Sequence, residues 1–279
     1  MHPGKVGDVD QTGRLAEEGW ELRGGSKLQT QIAVAYRQPD LNDSILDVLP
    51  DLRAPLASLQ WLAPKQHDSE GRFHEPVGPE LLDCLGLDLH TAYKGFWPLR
   101  RGAPTWDAVA WLHHPPHAPT AILVEAKSYP RELYASCQAK RFTAAGQPNP
   151  AYSLIVKSIG ETQARLGLAV DPDRWMFDTT PRQKRTTALY QTANRLAMLR
   201  FLRDHGVDAR LVYLLFLDDP RSPTTSDEWQ QATQEARERL GLEEPPPKTA
   251  YVHLHAVNHP EDFLLGARAS RTGYSTLGR

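Results

Sequence analysis

The sequence predicts an α/β protein with a mixed central sheet flanked by helices, and three observations carry that expectation. Two short runs rich in Ala, Val, Ile, Leu and Trp, Pro104 to Leu112 and Ala121 to Lys127, flank a polar break at His113-His114-Pro115-Pro116-His117 and read as adjacent strands. Leu189, Ala193, Leu196, Leu199 and Leu202 recur at helical spacing within Thr187 to His205, and Gly206 supplies the stop. Ala209 to Leu217 follows at once as a nearly unbroken apolar run, the composition of a strand covered on both faces.

Bulk properties bound the rest. A chain of 279 residues holds one large domain or two small ones, and 40% apolar with 24% charged residues is ordinary for a globular protein with a sizeable core. Residues 1–25 are rich in Gly and charge and poor in apolar side chains, so a flexible N-terminal segment is expected there, with a single domain over 26–279. The net charge of −2 argues against a protein that coats nucleic acid along its whole surface, but suits an enzyme presenting one basic groove. Cys84 and Cys137 have no metal-ligand spacing, which argues against a disulfide scaffold or structural zinc and fits a reducing compartment. With no apolar leader, and with Leu211 to Leu217 too short to span a bilayer, the expectation is a soluble cytoplasmic protein without a membrane partner.

In chain order, Ser26 to Ala35 is expected as a helix with Ser26 as its cap. Leu46 to Leu62, broken by Pro50 and Pro55, shows no clear period. Gly78 to Gly86 reads as a short helix, with Pro79 at its first position and Gly86 at its end. Thr91 to Leu99 is expected as a strand leading into the hairpin, and Ser128 to Leu133 as a turn into a helix. Pro150 to Ala169 has helical period, and Pro172 and Pro181 bracket a loop holding Trp175 and Phe177. Ser226 to Leu240 reads as a polar helix, Glu244 to Lys248 as a Pro-rich linker, and Tyr251 to Val257 as a final strand.

The chemistry concentrates in the hairpin. Alternation along the second strand puts Leu123, Glu125 and Lys127 on one face and Val124 and Ala126 on the other. A carboxylate and an ammonium on so apolar a strand must pair or bind something. Asp107, near the start of the first strand, reaches the same end of the sheet. An upstream Asp followed by Glu125-Ala126-Lys127 resembles the core motif of the PD-(D/E)XK nuclease superfamily. The first half departs from the pattern, because Trp106 precedes Asp107 and the proline stands at Pro104. The resemblance covers roughly residues 79–217 and implies a restriction-endonuclease-like core with N-terminal and C-terminal extensions. It implies further that Asp107 and Glu125 hold Mg²⁺, with Mn²⁺ as a substitute and the Ala126 carbonyl as a third ligand. Lys127 would hold or activate the attacking water. An acidic residue on the preceding helix, here Glu80, joins the ligands in many such nucleases, although a carboxylate in a first helical turn is also explained by the helix dipole.

Gln191 and Arg195 lie one turn apart on the helix after the motif strand, with Asn194 beside them. The resemblance makes Gln191 an active-site residue; a solvated polar face is the alternative. Arg182, Lys184, Arg185 and Arg195, continuing to Arg200 and Arg203, form the most basic part of the chain, suited either to phosphates or simply to water. The His113–His117 group and the pair His253 and His255 lack the companions a zinc site needs. No phosphate-binding loop, dinucleotide fingerprint or nucleophile elbow is present. The sequence therefore points to a Mg²⁺-dependent nuclease, most readily a DNA nuclease, with its oligomeric state open and a homodimer compatible with it. A non-catalytic nucleic-acid-binding or assembly protein on the same fold is the alternative.

Overall fold

Strand order in the central sheet follows from where the long apolar runs fall. The computed structural model describes residues 15, 20, 24–66, 73–99, 103–178 and 186–273, of which 268–273 are described by their backbone alone. Two helices come first, α1 (Ser26–Tyr36) and α2 (Gln38–Val48), then strand β1 (Ser58–Ala63) and a small ribbon of β2 (Lys65–Gln66) and β3 (Phe73–His74). Short helices α3 (Glu80–Leu85) and α4 (His90–Lys94) lead to the hairpin β4 (Ala108–His113) and β5 (Thr120–Lys127). Helices α5 (Pro150–Arg165), α6 (Pro172–Met176) and α7 (Tyr190–Asp204) precede β6 (Ala209–Leu217). The chain then runs through α8 (Ser226–Leu240), β7 (Thr249–His255) and α9 (Pro260–Gly273).

The five strands lie in the order β1-β4-β5-β6-β7. β1, β4 and β5 form an antiparallel meander, while β6 and β7 run parallel to β5 after helical crossovers. The central strands explain their own composition. Every residue of β5 is buried, as is all of β6 except Leu217, because helices cover both faces. The edge strand β7 instead alternates buried and more exposed positions. On one face Leu123, Val109, Tyr213 and Leu215 pack with Ile155 of α5, Leu196 of α7 and Trp229 of α8. On the other, Val124, Ala126, Val212 and Phe216 pack with Val34, Leu41 and Ile45 of α1 and α2. Leu15, Trp20, Leu28, Ile32 and Leu264 make a third, smaller cluster. Apart from Leu15, Trp20, Gly24 and Gly25, the N-terminal segment 1–25 lies outside the described residues. Among the described residues no helix is long and apolar enough to cross a membrane.

Several elements differ from the sequence reading. Thr91 to Leu99 is no strand: α4 occupies its first part, and Tyr93, Phe96 and Trp97 pack inward with Phe201 of α7. Those three aromatics stand at i, i+3 and i+4, a helical spacing rather than a strand's. The first strand of the meander comes from the segment without a clear period, where β1 follows a single turn at Pro50–Leu52. It lies at the sheet edge and buries only Trp61 and Ala63, which leaves little periodic signal. After β5 the chain makes one 3-10 turn, Pro130–Leu133, and no longer helix. The loop around Trp175 contains α6, with Asp171 accepting from the Arg174 N–H at 3.3 Å and the Trp175 indole donating to the Leu240 carbonyl at 3.1 Å. Ser26 begins α1 but supplies no side-chain cap.

Candidate active site

The site lies where β4 parts from β5. Their backbone pairing reaches only as far as Ala108 opposite Val124, so Glu125, Ala126 and Lys127 run on without β4 beside them. On the open side the Asp107 side chain replaces the missing strand: its Oδ2 accepts the Ala126 N–H at 2.7 Å. In an extended strand a residue's N–H and C=O point to the same side, so the Ala126 carbonyl also faces this gap. On the other side β6 supports the strand, with Tyr213 opposite Glu125 and Leu215 opposite Lys127.

Glu125 and Lys127 project onto the sheet face that α7 covers, and there they are buried, at 1% and 6% exposure. The Lys127 ammonium donates to Glu125 Oε1 at 2.5 Å. Glu125 Oε2 accepts from Arg195 Nε at 2.6 Å and meets Arg195 Nη2 at 2.5 Å. The same guanidinium donates to the Thr105 carbonyl and to Asn194 Oδ1, and it lies 4.7 Å from the centroid of the Trp106 ring. Gln191 Oε1 stands 3.5 Å from Lys127 Nζ, long for a hydrogen bond but on the inward side of α7. The helix thus brings Gln191, Asn194 and Arg195 onto the motif strand as one unit.

Electrostatics follow from this packing. Burial and the negative charge of Glu125 push the Asp107 pKa up to about 7, against the opposing pull of Lys127, the Ala126 N–H and Arg195. Burial alone would raise Glu125 too, but Arg195 and Lys127 outweigh it and hold that carboxyl below the usual range. For Lys127, burial works against the charge, while Glu125 and Asp107 more than compensate and raise its pKa. Lys127 is therefore an ammonium at neutral pH. In this state it suits holding a water or an anionic oxygen rather than accepting a proton.

The donor set fits a hard divalent cation, which takes oxygen ligands and keeps several waters. Asp107 Oδ1 has no hydrogen-bond partner among the described residues, the Ala126 carbonyl faces the gap, and each Glu125 oxygen carries more than one lone pair. Among the described residues no group of three or more His, Cys, Asp or Glu side chains is placed to hold a metal ion, so water and substrate oxygen would complete the shell.

The remaining candidates are placed as follows. Glu80 sits at the start of α3, where Oε2 accepts the Val77 N–H at 2.9 Å and lies 3.2 Å from His74 Nε2. That is the local role of a first-turn carboxylate. Arg195 was expected on a basic surface for nucleic acid; it is instead 3% exposed and bound to Glu125. A buried carboxylate needs a close cation, and Arg195 is the residue of α7 that reaches it. Arg200 pairs with Glu161 and Asp204, and Arg203 with Asp208, so these two are not free for phosphates either. Arg182, Lys184 and Arg185 lie outside the described residues. His113 and His114 bond to Gln60 and Thr120, and His253 and His255 to Ser226 and Asp218. The sequence reading missed Trp106, Thr105 and the Glu125–Arg195 pair. The one available signal was the four-residue spacing of Gln191 and Arg195, which places both on the same face. Comparison with protein-family models, with curated proteins and with solved structures returned no match.

Proposed function

We propose that the chain is a metal-dependent nuclease with a restriction-endonuclease-like core, hydrolysing phosphodiester bonds of nucleic acid, with DNA as the expected substrate. The observation that carries this reading is the meeting of Asp107, Glu125 and Lys127 at the open end of β5, with Asp107 pushed up to about 7 by burial and by Glu125. Carboxyls crowded in this way favour a bound cation, and perturbed groups of this kind concentrate at functional sites. Asp107, Glu125 and the Ala126 carbonyl would hold Mg²⁺ or Mn²⁺, which when bound acts as Lewis acid toward the phosphate and its attacking water. Lys127 keeps its ammonium beside the carboxylates and presents it to a water or a phosphate oxygen. Gln191 lies next to that ammonium and limits its orientation. Arg195, stacked on Trp106, holds Glu125 in place. Glu80 is assigned no part beyond its helix turn.

One observation favours a second reading. Both Glu125 oxygens already hold a cation, Lys127 on one and Arg195 on the other, so the cluster is neutralised without metal. A protein that kept the fold as a nucleic-acid-binding or assembly module would be stable in this state. Calorimetric titration of Mn²⁺ and Mg²⁺ separates the two readings. The nuclease reading expects saturable binding that Asp107→Ala abolishes; absence of binding in the folded wild type favours the module.

A further inference from the structure

Immediately beyond Lys127, Ser128 is 1% exposed, and each of its polar groups is held by a different side chain. Its N–H donates to Glu132 Oε2 at 2.6 Å, its hydroxyl donates to Asp219 Oδ2 at 2.9 Å, and its carbonyl accepts from Thr224 Oγ1 at 3.4 Å. Glu132 comes from the 3-10 turn after β5, whereas Asp219 and Thr224 come from the loop after β6. That loop is itself firmly built. Asp218 adopts a left-handed backbone with φ 56°, unusual for a residue other than glycine. Its N–H donates to the Thr224 carbonyl at 3.1 Å, and the Ser222 N–H donates to the Asp219 carbonyl at 2.9 Å. The Asp219 carboxyl is fully buried; its second oxygen accepts the Arg221 N–H at 3.0 Å.

Burying a carboxyl against a hydroxyl and an amide is a poor way to stabilise a fold, since an apolar side chain would fill the space without a desolvation penalty. Strained backbone and buried polar groups of this kind collect where geometry matters to function. What the arrangement fixes is the peptide directly after Lys127, at the end of a strand that has lost its β4 neighbour. β6 holds this strand end along one side as far as Lys127, and the clamp fixes the peptide that follows, where that pairing stops.

We propose that Asp219, with Ser128, Glu132 and Thr224, forms a positioning clamp for Lys127. The clamp touches no reacting atom and acts through the Ser128 backbone. The proposal rests on the nuclease reading for its kinetic consequence, but its structural consequence, a fixed Lys127 amine, holds with or without cleavage.

The test uses the full chain and compares Asp219→Ala, Asp219→Asn and Ser128→Ala with wild type. Two quantities are read: single-turnover cleavage of DNA in Mn²⁺, and the rate of reductive methylation of Lys127 followed by mass spectrometry. Asp219→Asn keeps both contacts, its oxygen accepting the Arg221 N–H and its amide donating to the Ser128 hydroxyl, and should behave close to wild type in both. Asp219→Ala should lower the cleavage rate about ten-fold or more while DNA affinity in Ca²⁺ is unchanged, and should speed Lys127 methylation several-fold. If Asp219→Ala fails to fold, Ser128→Ala removes the same contact from the other side and carries the same expectation. Wild-type methylation and cleavage rates in both alanine variants overturn the clamp. A wild type that cleaves nothing overturns the nuclease reading alone, and the methylation rates then decide the clamp by themselves.

Discussion

At the scale of single residues, Lys127 is where function and structure make the most different demands. As a mere partner for Glu125 it would add little beyond its ion pair, and Lys127→Met, which keeps the apolar stem, would leave activity near wild type. As the group that presents an ammonium to water or phosphate, it acts mainly in the transition state. Lys127→Met should then lower the single-turnover rate at least 100-fold, or about 2.7 kcal/mol, while DNA binding in Ca²⁺ persists. Lys127→Arg should not restore it, because a planar guanidinium does not replace a compact ammonium. Full activity in Lys127→Met would remove the assignment. Gln191→Ala should be milder, a slowing of about ten-fold, roughly 1.4 kcal/mol, since the side chain stands at 3.5 Å from Lys127.

Asp107 yields a prediction about stability. Its folded pKa of about 7 lies above the ordinary value of 3.8, raised by burial and by Glu125. A proton is therefore held more tightly in the folded than in the unfolded chain. Any stabilisation from this group is complete below about pH 4 and is lost as pH rises through about 7. Asp107→Asn keeps an oxygen for the Ala126 N–H and removes the titration. In metal-free buffer the Asn variant should be more stable than wild type at pH 8 by about 1 kcal/mol, a modest figure because solvent reaches part of the residue. The difference should vanish near pH 4. Urea unfolding of both proteins across that range checks it; equal stability at every pH would contradict the assigned burial.

At the scale of elements, α7 is the part on which the site depends most. Its inward face carries apolar side chains and, at its N-terminal end, Gln191, Asn194 and Arg195. Arg195→Ala leaves Glu125 buried with one cation instead of two, and should cost about 3 kcal/mol in chemical unfolding. Arg195→Lys should recover only part of this, because one ammonium cannot reproduce the guanidinium's paired contact with Glu125. A loss below about 0.5 kcal/mol in Arg195→Ala, the scale of an exposed pair, would show that Glu125 is not held as described.

The same scale shows what was legible in the sequence. β5, β6, α7 and α8 carry long, strongly patterned runs, and each was found close to its observed span. β1 escaped because an edge strand with two buried residues has no pattern to read. Thr91 to Leu99 misled because aromatic-rich stretches favour strands by composition, while the inward spacing of Tyr93, Phe96 and Trp97 is helical. Glu125 and Lys127 were legible because strand alternation puts both on one face, and Asp107 because the motif resemblance asks for an acidic residue upstream of that strand. The Arg195–Glu125 pair was not, because it joins residues 70 positions apart across two elements, and a basic side chain on a helix reads equally well as exposed.

For the molecule as a whole, the sheet is a rigid frame with one deliberate opening. Helices cover both faces of β5 and β6, and the clusters on either side hold most of the buried apolar side chains. At the end of β5, where β4 turns away, the frame places the charged Glu125 and Lys127 inside, held by Arg195. A buried carboxylate, ammonium and guanidinium with a second, partly buried carboxyl beside them add little to stability, so their presence there favours the proposed chemistry. The most direct measurement is cleavage of plasmid, linear and single-stranded DNA with and without Mn²⁺, by wild type and by Asp107→Ala and Glu125→Ala variants shown to be folded. Metal-dependent cleavage by wild type, absent from both variants, is the predicted result. Cleavage at the wild-type rate by either variant, or none by the folded wild type on any substrate, would contradict the account.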